Sequence, residues 1–167
     1  MELSEYPTFT IIMRGYTPAQ ADAIMQAMAG FENQFGVEVT MNTPHALDII
    51  ENGNAQYGNK IKIGAGTVLT LDEAKAAIGK GAKFMLSPIE FADDIFAYAK
   101  GTQGPVTVPA AMSPTEVHTM FEKGADIVKI FPATTVGSEF LKPFKHRWEN
   151  CHSWRLVVSR SKMQKIC

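Results

Sequence analysis

The sequence predicts an α/β domain whose parallel strands are wound into a (β/α) barrel. Three observations carry this. Short apolar or β-branched runs recur at fairly even spacing. Amphipathic stretches of helical period lie between them. Three of those stretches open on a hydroxyl residue followed three positions later by Glu or Gln. Parallel strands need a crossover between them, and helices in this alternation supply it.

Six strands are read in order: FTIIM from Phe9, GVEVTM from Gly36, IKIGAG from Ile61, KFMLSP from Lys83, PVTVPA from Pro105 and DIVKIFP from Asp126. Between the first two, Ala21, Ile24, Met25 and Met28 form one helical stripe; Val117, Met120, Phe121 and Gly124 form another before the sixth. The starts Thr17-Pro18-Ala19-Gln20, Thr70-Leu71-Asp72-Glu73 and Ser113-Pro114-Thr115-Glu116 are capping boxes, two of them with Pro at the first helical position. GKGAKF from Gly79 and EKGADI from Glu122 echo each other as helix end and strand start. The rival architecture, an open doubly wound sheet, would place a Gly-rich phosphate turn after the first strand, where IIMRGYTPA has one glycine.

With 167 residues, 46% of them hydrophobic and 20% charged, the chain can bury one sizeable core. A formal net charge of −1 offers no general field for nucleic acid, and two cysteines, Cys151 and Cys167, make no disulfide framework. No apolar run approaches bilayer length, and the start Met1-Glu2-Leu3-Ser4-Glu5 is acidic where a secretory signal is basic, so the expected location is cytoplasmic, away from membranes.

Some polar residues stand in apolar company. Lys129 lies among Ile127, Val128, Ile130 and Phe131. It is either a lysine on an edge strand facing water, or an amine whose desolvated charge is destabilised, so that the neutral form attacks a carbonyl and forms a Schiff base. Glu38 in GVEVTM is a carboxylate salt-bridged at a barrel end or, beside such an amine, a general acid/base. Gly64 to Val68, GAGTV, is a tight turn or a place where backbone approaches a ligand, with the Thr67 hydroxyl free to bind an anion. Arg14, ending the first strand, clamps an anion or lies on the surface. His45 and His118 have no second ligand at metal-binding spacing.

In order, VEVTMNTP, IGAGTVLT, FMLSP, VPAAMSPTE and VKIFPATTVG resemble the motifs of the 2-keto-3-deoxy-6-phosphogluconate / 4-hydroxy-2-oxoglutarate aldolase family over roughly Phe9 to Phe144. The resemblance implies a TIM (β/α)8-type barrel, a class I aldolase that needs neither metal nor cofactor, a small 2-keto acid substrate, and a homotrimer. It implies Lys129 as the Schiff-base lysine and Glu38 as the general acid/base. Thr67 is implied as a holder of the pyruvate carboxylate, Arg14 as an active-site arginine, and Pro88 and Phe131 as the apolar wall around the pyruvyl group. Asn42 stands where many relatives have arginine, and Pro109-Ala110 where many have Pro-Gly.

The last stretch differs. Up to Phe144 there are ten Lys+Arg against sixteen Asp+Glu, whereas Lys145 to Cys167 holds six basic residues, one acid and no glycine. Residues 1–144 are therefore read as a barrel domain, incomplete after about six βα units, and 145–167 as an atypical basic tail without the Gly-Gly phosphate turn that the resemblance leads one to expect. One explanation is an out-of-frame reading. SWRLVVS, from Ser153, can be encoded as TCA TGG CGG TTG GTG GTG TCN, which read from the third base gives Met-Ala-Val-Gly-Gly-Val. Resequencing the gene tests it. With such a tail the barrel is expected to be open, with unpaired edges on the first and sixth strands. A pyruvate-binding remnant without turnover and a different phosphate-binding barrel enzyme are the alternative functions.

Overall fold

In the computed structural model, residues 1–102, 104–136, 156–160 and 163–166 are described. The six expected strands form. They are β1 (Phe9–Met13), β2 (Phe35–Thr40), β3 (Ile63–Gly66), β4 (Phe84–Leu86), the pair β5 (Val106–Val108) and β6 (Ala110–Ala111), and β7 (Val128–Ile130). Helices α1 (Pro18–Ala27), α2 (Ala46–Tyr57), α3 (Leu71–Gly79), α4 (Asp93–Gly101) and α5 (Pro114–Lys123) alternate with them, and the short α6 (Ala133–Val136) follows β7. Strands β1 to β5 pair in parallel in sequence order, and β6 pairs in parallel with β7. Because β5 and β6 are one run of chain interrupted only at Pro109, they join the two halves of the sheet.

The tail corrects one expectation. Two further strands, β8 (Leu156–Arg160) and β9 (Met163–Ile166), close the ring. β8 lies parallel to β7, with Lys129 opposite Val157, and β9 turns back antiparallel to both β8 and β1, with Thr10 opposite Gln164. The first and sixth strands of the sequence reading thus have partners, and the barrel is not open. The physical reason is that the run Leu156-Val157-Val158 suits a strand, while a hairpin reverses the chain without the helix that a parallel return requires. Residues 145–155 lie outside the described residues, as does the composition break itself.

Alternation along the strands sorts residues onto two faces. Val37 and Val39 of β2, Ile63 and Ala65 of β3, and Val128 and Ile130 of β7 join the helices in an outer core. Phe84, Leu86, Val106, Val108 and Ile127 fill the inside, with Tyr6 packed beneath them. A 3₁₀ turn at Leu3–Glu5 brings Tyr6 there, at the end of the barrel opposite the strand C-termini.

All three capping boxes form. The hydroxyls of Thr17, Thr70 and Ser113 accept from the backbone N–H of Gln20, Glu73 and Glu116 at 3.3, 3.2 and 3.3 Å. The side chain of each of those residues accepts the cap's own N–H in return. Glu116 also accepts from the Met112 N–H at 2.6 Å, and these backbone donors hold its carboxyl below the usual carboxylate range. Ser113→Ala should cost about 1 kcal/mol and lower the melting temperature by roughly 2–4 °C in calorimetry. The echoed glycines end as expected too. Gly81 (φ 87°) and Gly124 (φ 99°) take left-handed backbone at helix ends, where a side chain would be strained.

Candidate active site

Since Val128 and Ile130 face the outer core, Lys129 between them points into the barrel. All three residues of β7 are buried and Lys129 is only 6% exposed, so it is not a lysine on an edge strand facing water. Burial pulls its amine below the usual lysine range; the Glu38 charge opposes that and the Arg14 charge adds to it. Its Nζ lies 4.8 Å from the centroid of the Phe131 ring, which is 37% exposed at the rim. A ring face so close favours the ammonium form modestly and covers one side of the nitrogen.

Glu38 faces the same interior from β2 and is 2% exposed. Its carboxyl group is held above the usual carboxylate range by burial, with Lys129 and then Arg14 pulling it back. Among the described residues, Oε2 has no hydrogen-bond partner. Burial lowers the one group's pKa and raises the other's, so the two are brought closer than an ordinary lysine and carboxylate.

The glycines of GAGTV have a different use from the one expected. A Cβ on Gly66 would overlap Glu38 Oε1, and one on Gly64 would overlap the Phe84 ring. Both therefore clear space for neighbouring side chains. Gly66 has ordinary strand backbone, so Gly66→Ala is a question of space alone. It should push the Glu38 carboxyl aside and cost about 1–3 kcal/mol by overpacking, read by thermal melts.

Three rim positions meet. Arg14, just past β1, donates from Nη1 to Asn42 Oδ1 at 3.1 Å and from Nη2 to Thr67 Oγ1 at 3.2 Å. Both acceptors are neutral, so the guanidinium keeps its full charge and further donors for an anion. Thr67 has φ 56°, a left-handed conformation that is an outlier for a β-branched residue. It is held between the Met41 N–H to Gly66 O bond (2.8 Å) and the Val68 N–H to Leu86 O bond (3.0 Å). Below Arg14, Thr40 and Thr43 pin the chain: both hydroxyls donate to Met13 O, at 3.4 and 3.3 Å, and Thr43 Oγ1 accepts the Gly15 N–H at 3.0 Å. Pro88 follows β4, half-buried beside Ser87, and shares the rim through its place in the fold.

Glu38 and Lys129 lie within their strands and point inward, while Arg14, Thr67, Pro88 and Phe131 lie just beyond strand C-termini, where barrels of this class place their chemistry. Glu38, Lys129 and Arg14 are electrostatically coupled, Arg14 and Thr67 are bonded, and Phe131 covers Lys129. Sequence reasoning missed Thr40 and Thr43. The alternation in Val37-Glu38-Val39-Thr40 was a usable signal for Thr40, which shares Glu38's face; nothing local marks Thr43.

An α/β barrel of parallel strands closed by one antiparallel hairpin, with a buried lysine and a buried carboxyl group inside, places the chain in the class of TIM-type barrel proteins. The chain belongs to the KDPG and KHG aldolase family, whose model matches residues 11–152. It is 34% identical over 136 residues to the 2-dehydro-3-deoxy-6-phosphogalactonate aldolase of Escherichia coli strain K12, covering 80% of this chain and 64% of that one. Its fold matches a native KDPGal structure with a TM-score of 0.75 at 28% identity, over 88% of this chain and 69% of that one. It also matches, at TM-score 0.72 and 24% identity over 90% and 69% of the two chains, a Legionella pneumophila KDPG aldolase with pyruvate captured at low pH as a covalent carbinolamine. Those relatives are TIM-type barrels, and the parallel α/β fold here matches them. The chain spans less than two thirds of the length of the curated relatives it matches.

Proposed function

We propose that this chain is a class I aldolase that cleaves a 2-keto-4-hydroxy acid, of the 2-keto-3-deoxy-6-phosphogluconate or 4-hydroxy-2-oxoglutarate type, to pyruvate and an aldehyde. The observation that carries the reading is Lys129: an amine 6% exposed inside the barrel, shifted towards neutrality by burial and faced by a buried carboxyl group.

Neutral Lys129 adds to the C2 ketone, and protonated Glu38 gives its proton to the carbinolamine hydroxyl, which leaves as water and gives an iminium ion and the Glu38 carboxylate. Glu38 as carboxylate takes the proton of the C4 hydroxyl. The C3–C4 bond breaks, its electron pair moves into the C2–C3 bond as the iminium becomes an enamine, and the aldehyde leaves. Glu38 returns its proton to C3, and water hydrolyses the resulting iminium to pyruvate and neutral Lys129, the proton released going back to Glu38. Arg14 and Thr67 bind the C1 carboxylate, and Pro88 and Phe131 bound the pyruvyl methyl. No cofactor enters these steps.

Family membership and a relative that holds pyruvate covalently support this chemistry. Asn42, engaged with Arg14, bears on which aldehyde is preferred, and the Escherichia coli relative's name makes the phosphogalactonate substrate a natural one to include. The test is pyruvate release, coupled to lactate dehydrogenase, from the two 6-phosphorylated epimers and from 4-hydroxy-2-oxoglutarate. The proposed assembly is a homotrimer in the cytoplasm, read as three times the 18.3 kDa chain mass in light scattering.

One observation favours a second reading, a pyruvate-binding remnant of the same fold: residues 145–167 contain no glycine from which a phosphate-binding Gly-Gly turn could be built. An adduct on Lys129 without turnover of any of the three substrates would select it. The division at residue 144, and an out-of-frame origin for 145–167, belong to this proposal and are tested by resequencing.

A further inference from the structure

Two buried polar atoms inside the barrel have no partner among the described residues and are not explained by the steps above: the Tyr6 hydroxyl and Glu38 Oε2. Tyr6 comes from the segment before β1, is 6% exposed, and packs its ring against Phe84 in the inner core, centroids 5.2 Å apart and planes tilted by 57°. Phe84 in turn lies against Gly64, the residue opposite Glu38 in the β2–β3 register, so tyrosine, phenylalanine and glutamate are successive neighbours in one interior. The Glu38 charge reaches Tyr6: after burial, it is the next cause raising the phenol above its usual range.

Burying an unpaired hydroxyl and an unpaired carboxyl oxygen in one barrel interior is costly for each, and a water that reached both would satisfy them. We propose that Tyr6 is a positioning residue for Glu38: ordered water inside the barrel accepts the Tyr6 hydroxyl proton and donates to Glu38 Oε2, holding the carboxyl group in the space that Gly66 leaves open. The charged groups facing Glu38 are Lys129 from β7 and Arg14 at the end of β1; the polar group facing Tyr6 besides Glu38 is the Thr10 hydroxyl, whose pull lowers the phenol against the other two causes although its placement falls outside direct hydrogen-bond geometry. The proposal gives the carboxyl group a donor from below, so it stabilises the carboxylate that has to accept a proton. It rests on the aldolase reading only in naming Glu38 as the proton carrier.

The test is a carbon-13 titration of glutamate carboxyls in the ligand-free chain, with the Glu38 signal assigned by its loss in Glu38→Gln. Tyr6→Phe keeps the ring and removes the donor, so the Glu38 midpoint should rise by about half a unit or more, with the melting temperature within roughly 2 °C of the parent. The acid limb of the kcat profile should move with it, turnover should drop roughly tenfold at neutral pH, and KM should stay within about twofold. An unchanged Glu38 midpoint in folded Tyr6→Phe, with or without a loss of stability, overturns the proposal. If Tyr6→Phe does not fold, replacement of all tyrosines by 3-fluorotyrosine, a stronger donor of nearly the same shape, should move the midpoint down, and no movement overturns the proposal equally. Because the titration needs no substrate, failure of the aldolase reading would show instead as the absence of a pyruvate adduct.

Discussion

Replacing Lys129 by Ala should abolish covalent capture of pyruvate and reduce pyruvate release roughly 10³-fold or more, since no other described amine lies in the barrel interior to form the iminium. Lys129→Met keeps most of the volume and should fold as well as the parent, which separates lost chemistry from lost structure. The pH dependence has a definite sign. Attack requires the neutral amine, so capture speeds up as pH rises through the Lys129 pKa. Burial pulls that pKa down, and the rate should level off at a pH below the ordinary lysine value of about 10.4. Initial rates of borohydride-trapped adduct against pH check it.

Glu38→Gln should have the next largest effect. The amide is nearly isosteric and fits the space above Gly66, yet it cannot carry a proton, so turnover should fall about 10²- to 10⁴-fold while the pyruvate adduct still forms. The variant also carries a second signature. Glu38 raises the Lys129 pKa, so removing its charge lowers that pKa further, and the plateau of the trapping profile should move to lower pH. A residue with only a packing role would not move that profile. Rate loss and an opposite or absent shift in the profile would place the proton carrier elsewhere.

Much of this was legible in the chain itself, for physical reasons that differ from residue to residue. The capping boxes at Thr17, Thr70 and Ser113 are local: residues three apart satisfy each other's backbone whatever the rest of the fold does. Lys129 and Glu38 were legible because a charged residue between β-branched neighbours in a covered strand has only one other face to occupy. The reason for Gly66 was not legible because it lies in another strand: the space it leaves belongs to Glu38, twenty-eight residues earlier. The left-handed Thr67 leaves no trace in sequence, since β-branched residues ordinarily avoid that backbone and only the surrounding hydrogen bonds hold it there. Tyr6 sits in a segment without strand or helix periodicity, so nothing announces that it plugs the inner core. The closing hairpin was missed for a related reason. Its short runs stand in a basic stretch without the helix expected between parallel strands, and antiparallel return removes the need for one.

The intact mass of the chain after incubation with pyruvate and sodium borohydride bears most directly on whether Lys129 is a Schiff-base lysine. One reduced pyruvyl group on the parent chain and none on Lys129→Ala is the expected pair of spectra. A folded parent chain that gains no mass, or a Lys129→Ala chain labelled as fully as the parent, would contradict the assignment.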